Sequence, residues 1–172
     1  MSLPDSELAA GFQIRRAASG DMERVGEIAR QAWQRIHAST AEIMGEEMHA
    51  VLCANWEDEK TAAVRRHWEA HPEWFRVVVA TQTGRVAAFL TFSIDQRKSL
   101  GRITNNAVAP EAQGNGLGTA MYRYALDCFR SEGLRFACVG TGLDEGHAPA
   151  RRAYEKAGFN IAQHQVMYYQ YL

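Results

Sequence analysis

The chain has 172 residues, with 19 Lys and Arg against 20 Asp and Glu. A formal net charge of −1 gives no general pull toward nucleic acid or an anionic membrane surface. The 47% hydrophobic and 23% charged content fits one globular domain with a substantial core and excludes fibrous, low-complexity and disulfide-scaffold classes.

Taken in chain order, residues 1–11 read as a loose leader and 12–172 as a single domain. The leader has no signal-peptide pattern, and no apolar run approaches about 18 residues, so no membrane span is expected. Cys53, Cys128 and Cys138 lack CxxC spacing, and the expected address is a reducing cytoplasm. Phe12–Ala17 alternates as a strand does. Ser19-Gly20-Asp21 offers a helix cap before Val25, Ile28, Ala29, Ala32, Trp33 and Ile36, which recur at helical spacing. A less regular helical stretch covers Ala41–Leu52, and another runs from Trp56 to His71, where Pro72 ends it. Arg76–Thr81 and Arg85–Phe92 flank the turn Gln82-Thr83-Gly84 as an antiparallel pair. Arg102–Val108 is the next strand, Thr119–Ser131 a helix closed by Gly133, and Arg135–Thr141 a further strand. His147–Ala157 is the last helix, ended by Gly158, and Phe159–Tyr171 is expected to hold one or two final strands.

The stretch Ala107–Ala120 organises the rest. Gly114, Gly116 and Gly118 alternate with other residues just before a helix start, which lets the backbone approach a bulky ligand closely. The free amides and dipole of the helix then favour a phosphate or pyrophosphate. A P-loop is excluded because Gly118 is followed by Thr119-Ala120, without the phosphate lysine. A dinucleotide fingerprint is excluded by the Gly-x-Gly-x-Gly spacing and by a next strand that ends in Gly140-Thr141-Gly142 rather than an acid. A glycine turn that only caps a helix rarely needs three glycines.

The run Val108-x-Pro110-x-x-Gln113-Gly114-x-Gly116-x-Gly118 resembles the acyl-CoA loop of the GNAT superfamily of acetyltransferases. A second run, His147-Ala148-Pro149-Ala150, followed by Tyr154-Glu155 and Gly158-Phe159, is similar to the family's later motif, with His147 where the family usually has Asn. The resemblance implies an α/β (α+β) fold, a mixed, mostly antiparallel central sheet of about seven strands flanked by helices on both faces. It implies acetyl-CoA as co-substrate, no metal, and transfer of the acetyl group to an amine acceptor by direct attack in a ternary complex. The binding residues it implies are Ala107, Val108, Gln113, Gly114, Asn115, Gly116, Leu117, Gly118, Thr119, His147 and Tyr154. Backbone N–H near Val108 would also meet the oxyanion of the tetrahedral intermediate. A non-catalytic acyl-CoA-binding or sensing module is the alternative, and the acceptor itself is not legible.

Tyr154, Asn106 and His147 are the catalytic candidates. Tyr154 matches the family's tyrosine, and a phenol of pKa about 10 suits a proton donor to a leaving thiolate; an aromatic core residue is the other reading. The strand Arg102–Ala107 carries no carboxylate to serve as base. Asn105 and Asn106 point to opposite faces, either to hold a water or substrate amide, or as a bulge with a satisfied amide. His147, after Asp144 and Glu145, is a base, a stand-in for the family Asn toward pantetheine (the favoured role), or a helix-start residue. His67 and His71 stand at i,i+4 but lack a third ligand. Trp33 and His37 are weaker candidates for the acceptor mouth, and Arg151 and Arg152 either touch a CoA phosphate or are a solvated face. The apolar and aromatic residues of 162–172 suit an edge strand that pairs with a second copy, so a homodimer is expected.

Overall fold

The computed structural model describes residues 6–172, in which six strands lie side by side in the order the chain makes them. They are β1 (Ser6–Ala9), β2 (Phe12–Arg16), β3 (Phe75–Ala80), β4 (Val86–Asp95), β5 (Leu100–Val108) and β6 (Phe136–Val139). All neighbours are antiparallel except β5 and β6, which the intervening helix makes parallel. The helices are α1 (Met22–Met44), α2 (Glu46–Leu52), α3 (Trp56–Ala70), α4 (Leu117–Ser131) and α5 (Ala148–Ala157). No helix of the described residues is long and apolar enough to cross a membrane.

Period-two alternation divides the sheet into two faces. On one, Phe75 packs on Phe89 and meets the ring of His67 on α3, and Val25, Ile28 and Ala29 give α1 a fully buried stripe. On the other, Arg76 Nε donates to the Tyr124 hydroxyl of α4 at 3.1 Å, and Phe92 meets Phe129 edge to face. Gly101 has no side chain for a packing reason: a Cβ there would lie 2.3 Å from the Phe129 ring. Strands β3 and β4 are buried on both faces, so they read as near-continuous apolar runs.

The strand count is a correction: the described residues hold six, not about seven. Residues 159–172 carry no strand and lie largely exposed, with Ile161 and Tyr168 at 94% and 90%. That segment is apolar on both sides of its alternation, so as a strand it would need cover on both faces, which the chain does not supply there. The leader is also partly structured. Ser6–Ala9 pairs with β2 as β1, through a bulge between Glu7 and Ala9, whereas residues 1–5 lie outside the described residues. The irregular helix expected from Ala41 is divided, because α1 continues to Met44 and Gly45, at φ +87°, separates it from α2.

Candidate active site

β5 and β6 pair only from Leu100↔Phe136 to Ile103↔Val139. Beyond Ile103, β5 runs on to Val108 without a neighbour on that side, and the strands part. A cavity of about 690 Å³ opens there, walled by the end of β5, the glycine loop, the starts of α4 and α5, and Gln31, Trp33 and Ile36 of α1.

A bulge decides which β5 side chains enter it. Leu90 pairs with Asn106 and Phe92 with Ile103, so Thr104 and Asn105 together oppose Thr91. The Thr91 hydroxyl fills the interrupted ladder, accepting from Asn105 N at 2.8 Å and lying 3.1 Å from Asn105 O. Past the bulge the alternation is inverted: Asn106 faces α4 and α5, while Asn105 faces α3. A bulge and a satisfied amide are therefore both present, and Asn106 also lines the cavity.

Asn106 ties two phenols together. Tyr122 Oη donates to Asn106 Oδ1 at 2.7 Å, and Asn106 Nδ2 donates to Tyr154 Oη at 3.2 Å. The two rings lie 4.4 Å apart, and both are nearly buried. Burial holds the Tyr154 phenol above its usual range, with Asn106 and Tyr122 partly offsetting it. Burial and the neighbouring Tyr154 push Tyr122 well above its range. Both phenols stay protonated at neutral pH. Tyr154 is fixed by the end of its own helix: Gly158 at φ +111° closes α5, and Phe159 folds back to meet the Tyr154 ring. Tyr154 is thus a core ring that also lines the cavity.

The glycine loop has the form an anion requires. Gly114 and Gly116 adopt φ +82° and +73°, and a Cβ at either would meet no protein atom within 4 Å; both line the cavity. The first backbone bond of α4 runs from Ala120 N to Gly116 O, so the amides of Leu117, Gly118 and Thr119 have no partner within the helix. Charge-attracting donors and room without side chains fit a pyrophosphate. Glu111 pairs with Arg24 of α1 and braces the loop. Asn115 turns into the loop, donating to Ala112 O at 3.1 Å, and is not among the cavity-lining residues. At the end of β5, Ala109 N bonds Ala87 O. By antiparallel alternation Ala107 then turns its polar groups to β4, and Val108 turns its own to the open edge. There Gln113 Nε2 donates to Val108 O at 3.2 Å.

Facing this wall, His147 Nδ1 lies 2.6 Å from Asp144 Oδ2, and its backbone N bonds Asp144 Oδ1. The Asp144 carboxyl sits below its usual range: burial would raise it, and the contacts with His147 outweigh that. Arg151 Nη1 donates to the carbonyls of Gly142 and Asp144, both at 2.7 Å, so it braces the turn before α5 and is not a solvated cation. Gly146 packs against α1, where a Cβ would come within 2.9 Å of Arg35 O, and its N–H donates to Ser39 Oγ.

Sequence reasoning missed Tyr122 and Lys60. Helical spacing alone makes Tyr122 a core residue. Lys60 reads as one charge on a polar helix, yet its ammonium lies 2.6 Å from Asn105 Oδ1 and 3.5 Å from the centre of the Trp33 ring. Burial lowers it to about 8.

Comparison with known proteins agrees with this fold. Residues 30–159 match the model of the acetyltransferase (GNAT) family. The mycothiol acetyltransferase of Streptomyces bingchenggensis is 24% identical over 168 residues, 98% of this chain and 49% of that protein. That of Thermobifida fusca is 30% identical over 104 residues, 56% of this chain and 32% of the relative. The chain thus spans about a third to a half of the length of these curated relatives. Among solved structures, the PaiA N-acetyltransferase of Thermoplasma acidophilum in complex with coenzyme A superposes with a TM-score of 0.70 at 18% identity, covering 90% of this chain and 92% of that one. The putative acetyltransferase YncA of Salmonella typhimurium with acetyl-CoA gives a TM-score of 0.60 at 22% identity, covering 89% and 82%.

Proposed function

Since this chain belongs to the GNAT acetyltransferase family, we propose that it moves an acetyl group from acetyl-CoA to a primary amine, of a small molecule or a peptide, by direct attack in a ternary complex. The observation that carries this reading is the convergence of the Tyr154–Asn106 pair and the glycine loop on one cavity. Acetyl-CoA would supply the acyl group activated as a thioester. Gly114, Gly116 and the amides of Leu117, Gly118 and Thr119 hold the pyrophosphate, and Val108 offers its outward N–H and C=O to the pantetheine arm. His147, oriented by Asp144, takes the position of the family Asn. Asn106 orients Tyr154, and Tyr154 gives its proton to the departing thiolate. β5 has no carboxylate beside the cavity, so the acceptor ammonium gives its proton to water before attack.

The test is a calorimetric titration with acetyl-CoA, together with a thiol-release assay over a panel of amines that includes the acceptor of the mycothiol acetyltransferases. Binding with turnover supports the reading. Binding without turnover on any amine leaves an acyl-CoA-binding module, and no binding overturns both. The same reading puts residues 12–172 in one acetyltransferase domain and the reaction in the reducing cytoplasm, in keeping with Cys53, Cys128 and Cys138 forming no disulfide among the described residues. It also includes a homodimer through the open edge of β6 and the exposed apolar tail, where Phe136, Val166, Met167 and Tyr168 are all uncovered.

A further inference from the structure

A second cluster of chemically capable groups lies outside the cavity, where α1 meets α2. His37 Nδ1 is 3.0 Å from His49 Nε2, and Cys53 Sγ and the two ring nitrogens all lie within 4.8 Å of one another. His49 and Cys53 are one helical turn apart, so α2 presents both to α1. The His37 ring is held flat against Trp56, with centroids 4.1 Å apart and planes at 19°. All three residues are half-buried.

The three groups, with the imidazoles now in hydrogen-bond contact, lie near the spacing of ligands around one small cation. Tetrahedral zinc with Zn–N of about 2.0–2.1 Å and Zn–S of about 2.3 Å places two nitrogens about 3.3 Å apart and a nitrogen and sulfur about 3.6 Å apart. The His–His separation is already close to that edge, and a small closure of Cys53 completes the set. Two imidazoles and a thiolate select zinc over magnesium or calcium, which prefer oxygen ligands. His67 and His71 offer no such set: their ring centroids are 6.1 Å apart, and His71 is turned to Glu73.

We propose that His37, His49 and Cys53 form a zinc site that clamps the C-terminal half of α1 to the corner between α2 and α3, with water in the fourth position. On binding, the Cys53 thiol releases its proton to solvent and the sulfur bonds the metal. Trp33 and Ile36, which line the cavity, lie within one turn of His37, so the metal stiffens that wall. It takes no part in acyl transfer.

The test uses the full chain freed of metal with a chelator, then titrated with Zn²⁺ by calorimetry in two buffers and with Co²⁺ by absorption. The expected result is one Zn²⁺ per chain with one proton released, and a thiolate-to-cobalt charge-transfer band in the near ultraviolet. Zn²⁺ at a 100-fold excess over Kd should raise Tm by roughly 5–10 °C. Cys53→Ser should remove the band. Cys53→Ser and His37→Gln should each weaken Zn²⁺ binding by more than about 100-fold, since losing even a group that only orients a ligand costs 10–100-fold. His71→Gln should change none of these. The proposal is overturned by no stoichiometric binding, by a cobalt spectrum of the unaltered chain without the thiolate band, or by affinity that follows His71 in place of Cys53.

Discussion

The hydroxyl of Tyr154 accepts a hydrogen bond from the side-chain amide of Asn106 at 3.2 Å. Asn106 in turn accepts from Tyr122, so the chain of donors runs toward Tyr154 and leaves the Tyr154 proton for the cavity. Tyr154→Phe should lower turnover by about 10- to 10⁴-fold with little change in CoA affinity, the range for losing a positioned acid. Tyr122→Phe, which only loosens Asn106, should cost less. Steady-state thiol release with calorimetric CoA titration checks both, and a full-rate Tyr154→Phe enzyme would return the residue to a packing role.

Gly116 and Gly133 share a φ of +73°, and a Cβ on either meets no protein atom within 4 Å. Valine at either should therefore cost a similar amount of stability, on the order of 1–2 kcal/mol. Only Gly116→Val should abolish CoA binding, because its side chain fills the space of the pyrophosphate. Equal CoA affinity in the two variants would remove the loop from the mechanism.

Lys60 should leave a mark on stability against pH. Its folded pKa of about 8 lies below the ordinary 10.5. Between those values the unfolded chain binds the extra proton, so stability rises with pH; below about 8 the cost of burying the charge is felt in full. Relative to Lys60→Met, the natural chain should gain up to about 3 kcal/mol from pH 8 to 10.5. Denaturant unfolding of both proteins across that range checks the sign, and parallel curves would contradict it.

With no carboxylate on β5 to serve as base, kcat/KM should climb with pH until the acceptor amine itself is neutral, near pH 10 for an alkylamine. A rate that levels off below pH 7 would reveal a protein base.

The exposed tail makes the assembly testable. Sedimentation equilibrium at micromolar concentration should find a species of twice the 19.2 kDa chain mass, and removal of residues 160–172 should return it to the monomer. A monomer at every concentration would count against the dimer.

Much of this protein was legible along the chain, because the informative signals are local. Glycines at every second position before a helix, Gly158 after one, and the apolar runs Arg76–Thr81 and Arg85–Phe92 set backbone geometry and burial within a few residues. These features placed the elements and the candidate anion loop, and the resemblance to the GNAT family added the fold class and Tyr154. What the tertiary structure alone decided depends on partners far away in sequence. Composition shows two adjacent asparagines; the extra residue opposite Thr91 turns Asn106, not Asn105, toward the phenols. Lys60 became unusual only when β5 and Trp33 closed over it. The tail failed as a strand because alternation proposes a strand, whereas pairing to a sheet and a covering face make one, and residues 159–172 have neither in this chain.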